Sequence, residues 1–210
     1  KFTITTQPAA PATNGATLAT QPVLQLKDQY DNNCDSDGAT QVDATATGNG
    51  TWTLGGSLPQ TASGGVVSYS GLSASSNVEV TAASITFDLG GGSFTLESNS
   101  FALSLNSAPS LTAAGSATVD ANFTVSFDDN SDWESKISEV SYNNTVLSSG
   151  TDYDIDGTAN TITLKPGGGN SVLQTAGTTN LVVKSDTYAD ATVSQTIGHG
   201  AAAKFTITTQ

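Results

Sequence analysis

Nineteen acidic side chains stand against six basic ones in 210 residues, all six of them lysine, and the formal net charge is −13. That balance excludes nucleic acid as a partner, because binding it takes cations that release phosphate counterions, and an anionic membrane surface repels such a chain. A single cysteine, Cys34, excludes an intrachain disulfide, and a single histidine, His199, leaves little for imidazole chemistry.

The chain opens on Lys1-Phe2-Thr3-Ile4-Thr5-Thr6-Gln7, and the same seven residues return as Lys204, Phe205, Thr206, Ile207, Thr208, Thr209 and Gln210. Seven identities in a row are the signature of one full period plus the first strand of a following copy. Exchange of that strand between separate molecules, head to tail, is the other reading, and a duplicated end introduced by design a third. The opening residues hold no secretory h-region and no stretch approaches eighteen apolar residues, which fits a mature or excerpted chain without a membrane span.

Between the two heptads, alternation with period two dominates. Phe2 and Ile4 read as a first strand and Val23-Leu24-Gln25-Leu26 as a second. Trp52-Thr53-Leu54, Val66-Val67-Ser68-Tyr69, Val78-Glu79-Val80, Ile85-Thr86-Phe87, Phe94-Thr95-Leu96 and Phe101 to Leu105 follow, each bounded by Gly, Asn, Ser or Pro. Short strands at this spacing predict a β-sandwich.

Asn106-Ser107-Ala108-Pro109 reads as a linker, after which a second set begins. Its strands are predicted at Phe123 to Phe127, Ile137 to Tyr142, Thr145 to Leu147, Tyr153 to Ile155, Thr161 to Leu164, Leu181 to Lys184 and Ala191 to Val193. One short helix is expected over Ser131 to Ser138, with Trp133 and Ile137 on one face. The expected fold is all-β: two tandem immunoglobulin-like β-sandwiches, at 1–105 and 106–200, with 201–210 as linker and first strand of the next repeat.

Three acidic clusters are the candidates for a site. Asp31, Asn33, Asp35 and Asp37, followed by Gly38, give the alternating oxygens and tight turn that suit Ca²⁺, a hard cation wanting six to eight oxygen ligands. Counted from Asn33, position twelve is Ala44, one residue past Asp43, so the bidentate acid is out of register. A solvated hairpin loop whose Asp and Asn side chains bond their own backbone explains the same residues. Asp152-Tyr153-Asp154-Ile155-Asp156-Gly157 also spaces its acids alternately, yet Tyr153 and Ile155 alternate as a buried strand face does, running into a turn. Asp128, Asp129, Asn130 and Asp132 precede the helical turn, where they serve as caps.

Catalysis finds no assembled set. His199 lies in a Gly-His-Gly segment, remote in sequence from any nucleophile, and the four glutamates, Glu79, Glu97, Glu134 and Glu139, are scattered. Trp52 and Trp133 read as core anchors rather than sugar platforms. Cys34 lies in an acidic loop that disfavours a thiolate, which leaves a free surface thiol or an intermolecular disulfide. Sequons stand at Asn49, Asn122 and Asn143.

Residues 1 to about 105 resemble the bacterial immunoglobulin-like modules of large cell-surface proteins. The resemblance rests on Phe2 to Pro8, Ala19-Thr20-Gln21-Pro22-Val23, Lys27-Asp28-Gln29-Tyr30-Asp31-Asn32 and Gly65 to Leu72. Those modules carry Gly-Asn where Asp31-Asn32 stand here. Residues from about 110 to 198 are similar to the Shr-like haemoglobin-interacting domain family. This second likeness is carried by Phe127-Asp128-Asp129-Asn130 with Trp133 and Ile137, Val140 to Asn144, Tyr153-Asp154-Ile155, Ile162-Thr163-Leu164 and Tyr188 to Ala191. Both motif sets are framework residues, so the resemblances imply fold and surface location, with haem-protein binding or a spacer role, and no catalytic residue.

The expected function is a structural repeat unit of an extracellular bacterial stalk, sheath or filament at the cell surface, not an enzyme, whose partners are neighbouring copies of itself. An adhesin or ligand-binding module for glycan or host protein is the alternative, and an accessory domain of a secreted hydrolase a third.

Overall fold

The structure is a computed structural model and describes residues 1–203; the predicted assembly strand, 204–210, lies outside the described residues. The chain divides into two compact units, Lys1–Asn106 and a second beginning at Ser107. Each has its own apolar core, and the two cores share no residue.

The first unit runs β1 (Phe2–Thr6), β2 (Ala9–Pro11), β3 (Leu18–Thr20), β4 (Val23–Leu26), β5 (Gln41–Gly48), β6 (Thr53–Gly55), β7 (Gln60–Thr61), β8 (Val66–Ser68), β9 (Ser73–Ser75), β10 (Val80–Asp88), β11 (Thr95–Glu97) and β12 (Phe101–Leu103). One sheet has the order β1-β4-β8; the other runs β11-β10-β5-β7, with β12 also on β10. The small pairs β2-β3 and β6-β9 complete the unit. Inward residues of both sheets, among them Phe2, Leu24, Val67, Val42, Ile85 and Phe87, meet in one buried cluster, as facing sheets of a sandwich require.

The short strands β2, β3, β7 and β9 were not predicted, and two longer ones depart from expectation as well. Of the predicted Val78-Glu79-Val80 only Val80 is strand, and it opens the nine-residue β10, which runs on through the predicted Ile85-Thr86-Phe87 because the small Ala83 and Ser84 between them are buried too. A register shift between Val80 and Ala83 lets β10 hold both β12 and β5. Strand β5 was not expected at all. Its buried residues are Val42 and Ala44, alternating with exposed Gln41, Asp43 and Thr45, so it has the period of a strand and little of the apolar bulk.

A buried asparagine ties segments of the first unit that are far apart in sequence. The Asn14 amide nitrogen donates to the carbonyls of Ser76 and Ser104, its Oδ1 accepts from the Ser76 N–H, and its backbone bonds both ways with the Asn106 side chain. Asn14→Ala leaves those Ser76 and Ser104 groups without partners, and buried orphans cost about 1–3 kcal/mol each. Calorimetry on the variant is expected to show the first unit's transition lowered and the second's unmoved.

Tyr69 gives the same unit an alkaline limit. Its hydroxyl donates to the Val42 carbonyl at 2.9 Å, and burial, with the Asp43 carboxylate nearby, pushes the phenol above its usual value. The folded state therefore keeps a proton that the unfolded chain releases near pH 10, so stability is present below that pH and declines above it. Tyr69→Phe is expected to flatten this decline in a pH series of denaturant melts of the first unit.

The second unit runs β13 (Leu111–Thr112), β14 (Phe123–Phe127), α1 (Ser131–Ser135), β15 (Ile137–Tyr142), β16 (Thr145–Val146), β17 (Tyr153–Asp156), β18 (Thr161–Leu164), a 3₁₀ turn at Pro166–Gly168, β19 (Gly177–Ser185) and β20 (Ala191–Ile197). Two four-stranded antiparallel sheets, β13-β14-β18-β17 and β16-β15-β19-β20, enclose the core. Strand β14 shows the cause directly: Phe123, Val125 and Phe127 point in and Thr124 and Ser126 out. Gln195, wholly buried on β20, is satisfied on both ends of its amide, accepting from the Ala114 N–H and donating to the carbonyls of Ala114 and Thr196.

The helix is shorter than the predicted Ser131 to Ser138. Asn130 caps it by accepting from the Trp133 N–H, and it ends at Lys136, so Ile137 starts β15 opposite Ser185 instead of sharing a helical face with Trp133. Trp133 and Trp52 are both buried, packed against Phe127 and Phe101 respectively.

Candidate functional site

The region with the most unusual local architecture is the edge strand β1 together with the loop that follows β4. Among the described residues strand β1 pairs only with β4, in the register Phe2↔Leu26, Thr3↔Gln25 and Ile4↔Leu24. Phe2 is 1% exposed and meets Phe94 edge to face at 5.0 Å. The ladder continues to the first residue: the Lys1 nitrogen donates to the Lys27 carbonyl at 3.0 Å, and the Lys27 N–H donates to the Lys1 carbonyl at 2.7 Å.

The loop beyond Lys27 holds the four predicted metal ligands. Asp28 organises its first half: one carboxylate oxygen accepts from the N–H groups of Tyr30 and Asn32, the other from the Asn32 side-chain amide. Those bonds, with Asn32's the strongest, hold the Asp28 carboxyl below the usual carboxylate range. Asp31 adopts φ 71° and pairs with the Lys1 ammonium at 2.9 Å. The Lys27 ammonium donates to the Asp31 carbonyl and to Asn33 Oδ1. Asp37 accepts from the Thr40 N–H and hydroxyl and from the Ala39 N–H, and the Thr40 bonds foremost hold its carboxyl low.

Asp31, Asn33 and Asp37 thus spend their oxygens on separate partners, a lysine, a second lysine and a turn of backbone, while Asp35 stands exposed beside them. Among the described residues no three His, Cys, Asp or Glu side chains are gathered so as to hold a metal ion. The loop is braced by its own side chains, as Asx turns are. Cys34 is half-buried against the core with a free thiol, and the loop backbone there lies so close to Gly65 that a Cβ at that residue would sit 2.3 Å from the Cys34 carbonyl. At the loop's tip Tyr30 is 76% exposed, a feature that sequence reasoning treats only as part of a motif.

The other clusters are structural. Buried Asp152 accepts from the Ser148 N–H and the Asn170 amide, Asp154 pairs with Lys165, and Asp156 accepts from the N–H groups of Thr158 and Ala159. Asp132 bonds Lys136 and the Tyr188 hydroxyl, and those two bonds, the lysine's first, keep its carboxyl low. His199 is exposed between its glycines. A shallow cleft of about 450 Å³ in the second unit is lined by Tyr142, Asn143, Thr145, Ser171 and Thr175 to Thr179, without a carboxylate, amine or imidazole.

The fold defines the class: an all-β chain of immunoglobulin-like sandwiches. Residues 111–198 match the family model described as heme-binding protein Shr-like, Hb-interacting domain. The second unit is thus similar to that family over nearly its whole described length, and a separate β-sandwich unit, Lys1–Asn106, precedes it. No curated protein matches it.

Solved structures similar to it include a tri-modular GH5 (subfamily 4) endo-beta-1,4-glucanase from Bacillus licheniformis, complexed with cellotetraose, at 17% identity and TM-score 0.30, covering 41% of this chain and 16% of that one. The N-terminal eight Ig domains of Down Syndrome Cell Adhesion Molecule are 13% identical, TM-score 0.28, covering 95% and 28%. Murine CEACAM1b is 11% identical, TM-score 0.34, covering 95% and 100%. The chain thus spans 16% and 28% of the first two of these, and likenesses so distant transfer no activity. No helix among the described residues is long and apolar enough to cross a membrane.

Proposed function

We propose that this chain is one period of an extracellular, cell-surface array of β-sandwich modules, non-enzymatic, in which Lys204 to Gln210 serve the following copy as Lys1 to Gln7 serve this one. One observation carries the reading: the heptad's first copy is built into a core, with Phe2 buried and β1 laddered to β4, and the sequence that completes that core recurs at 204–210. An unpaired strand of this kind is an aggregation hazard, which favours an arrangement that pairs it. Length would then be the product, and the acidic surface would keep neighbouring arrays apart.

The mass of the native polypeptide tests it. A chain several-fold heavier than 21.2 kDa, cut by limited proteolysis into steps of one period, is the expected result. A native chain of one period that stays monomeric would sink it.

The family match of residues 111–198 supports a second reading, a surface module that holds a haem protein through the Shr-like domain. Such binding would work through protein contacts, since the lone His199 offers only one imidazole for haem iron. A pull-down with haemoglobin, with myoglobin as the control, separates this reading from a spacer role.

A further inference from the structure

We propose that Asn14-Gly15 is a self-modification site which the fold of the first unit keeps shut, and that its conversion, once the unit has opened, bars the unit from refolding. This holds for a single copy as for an array. An asparagine followed by glycine can lose its side-chain amide without an enzyme, because glycine has no Cβ to hinder attack by its own backbone nitrogen. The Gly15 nitrogen bonds to the Asn14 Cγ and gives up its proton, the bond from Cγ to Nδ2 breaks, and ammonia leaves with that proton. Water then opens the resulting cyclic imide at either carbonyl, to an aspartate or an isoaspartate. Water is the only co-reactant, and nothing is oxidised or reduced.

Asn-Gly occurs twice, at Asn14-Gly15 and Asn49-Gly50. In the folded unit the reacting groups of the first are all committed elsewhere. The Gly15 N–H donates to the Ala74 carbonyl at 2.9 Å, Asn14 Nδ2 donates to the carbonyls of Ser76 and Ser104 at 2.9 and 3.1 Å, and Asn14 Oδ1 accepts from the Ser76 N–H at 2.9 Å. Asn14 is 6% exposed, which also keeps water from an imide. Bringing the Gly15 nitrogen onto Cγ breaks these bonds together. Ser76 and Ser104 stand 62 and 90 residues along the chain from Asn14, so that step is an opening of the unit and not a local fraying.

The converted residue no longer fits its place. A carboxylate oxygen where Nδ2 stood faces the Ser76 and Ser104 carbonyls, which accept and cannot donate, and the charge is buried without a partner there. Asn49 is the contrast. It is exposed, its Oδ1 accepts from the Ala82 N–H at 2.9 Å, and its Nδ2 donates to the Thr81 hydroxyl at 3.0 Å. A hydroxyl can turn and donate, so an aspartate at 49 keeps both bonds.

The test ages the chain of residues 1–210 in mildly alkaline buffer, with and without urea, and reads conversion at each asparagine by peptide mass mapping. Conversion at Asn14 tracks the open population, so it should be at least about a hundredfold slower in the folded chain than in the unfolded one, and should rise with urea in step with the first unit's unfolding. Chains aged in urea and returned to buffer should lose the first unit's calorimetric transition in proportion to conversion at Asn14, whatever the conversion at Asn49. Asn14→Asp should abolish that transition and leave the second unit's in place, and Asn49→Asp should keep both. Equal rates at Asn14 in folded and unfolded chains overturn the guard. A first unit that melts normally after conversion at Asn14, or in Asn14→Asp, overturns the block to refolding.

Discussion

Trp133→Ala is expected to unfold the second unit under conditions in which the first stays folded. The indole is fully buried, its ring 5.2 Å from that of Phe127, and its backbone carbonyl accepts the Ser185 hydroxyl at 2.7 Å. It lies in α1, which follows β14 of one sheet and precedes β15 of the other, so the ring fills the place where the chain crosses between layers. Truncating such a ring costs about 3–5 kcal/mol, lost contacts and residual cavity together. A domain of this size has about 5–15 kcal/mol in all, so the loss takes a large share of the total.

The indole N–H has no hydrogen-bond partner, so the residue acts through packing alone, and Trp133→Phe should recover part of the loss. Because the two cores share no residue, differential scanning calorimetry on the full chain should show one transition collapse and the other hold its temperature. A parallel fall of both transitions would mean that the units do not melt independently.

How much of this was legible in the residues depends on apolar bulk. Strands β14 and β18 declare themselves through Phe, Val, Ile and Leu at every second position. Strand β5, central in its sheet, does the same with Val42 and Ala44 flanked by threonines, and a reader weighing hydrophobicity passes over it although its period is plain. The reach of β10 from Val80 to the predicted Ile85-Thr86-Phe87 was hidden for a related reason, since buried Ala83 and Ser84 look like loop residues until the sheet places them inside. The short helix was overextended because Trp133 and Ile137 have helical spacing. What overrides that spacing is pairing of Ile137 with β19, a long-range contact that local periodicity does not contain.

The loop after β4 shows a different limit. Its alternating Asp and Asn are what a calcium loop and a self-capped turn have in common, and composition does not separate them. In the structure Lys1, just before β1, bonds Asp31, Lys27, just after β4, bonds Asn33, and Thr40 bonds Asp37. The exposure of Tyr30 is equally invisible in sequence, since it follows from Asp28 closing the turn beneath it.

Removing the first heptad while keeping the second should convert the chain into a self-assembling one. A chain of residues 8–210 lacks β1, so the edge of β4 is unpaired and the place of Phe2, beside Phe94 and across from Leu26, stands empty. Loss of that phenylalanine alone costs about 3–5 kcal/mol, before the ladder bonds and Ile4 are counted. The same seven residues remain at its C-terminal end as Lys204 to Gln210, identical in sequence to the strand that was removed. Each molecule then offers one strand and one vacancy, a heterologous contact that joins chain to chain in open series or in rings.

Sedimentation velocity on 8–210 should give a concentration-dependent series of oligomers, whereas 8–203, with a vacancy and no strand, should stay unassociated with its first unit melted. A synthetic Lys-Phe-Thr-Ile-Thr-Thr-Gln peptide added to 8–203 should restore the first unit's thermal transition, and the same peptide carrying Asp at the Phe position should not, because a carboxylate would be forced into the Phe2 site. If 8–210 remains monomeric and the peptide restores nothing, the heptad does not act as an interchangeable strand. Its recurrence would then carry no structural meaning between copies.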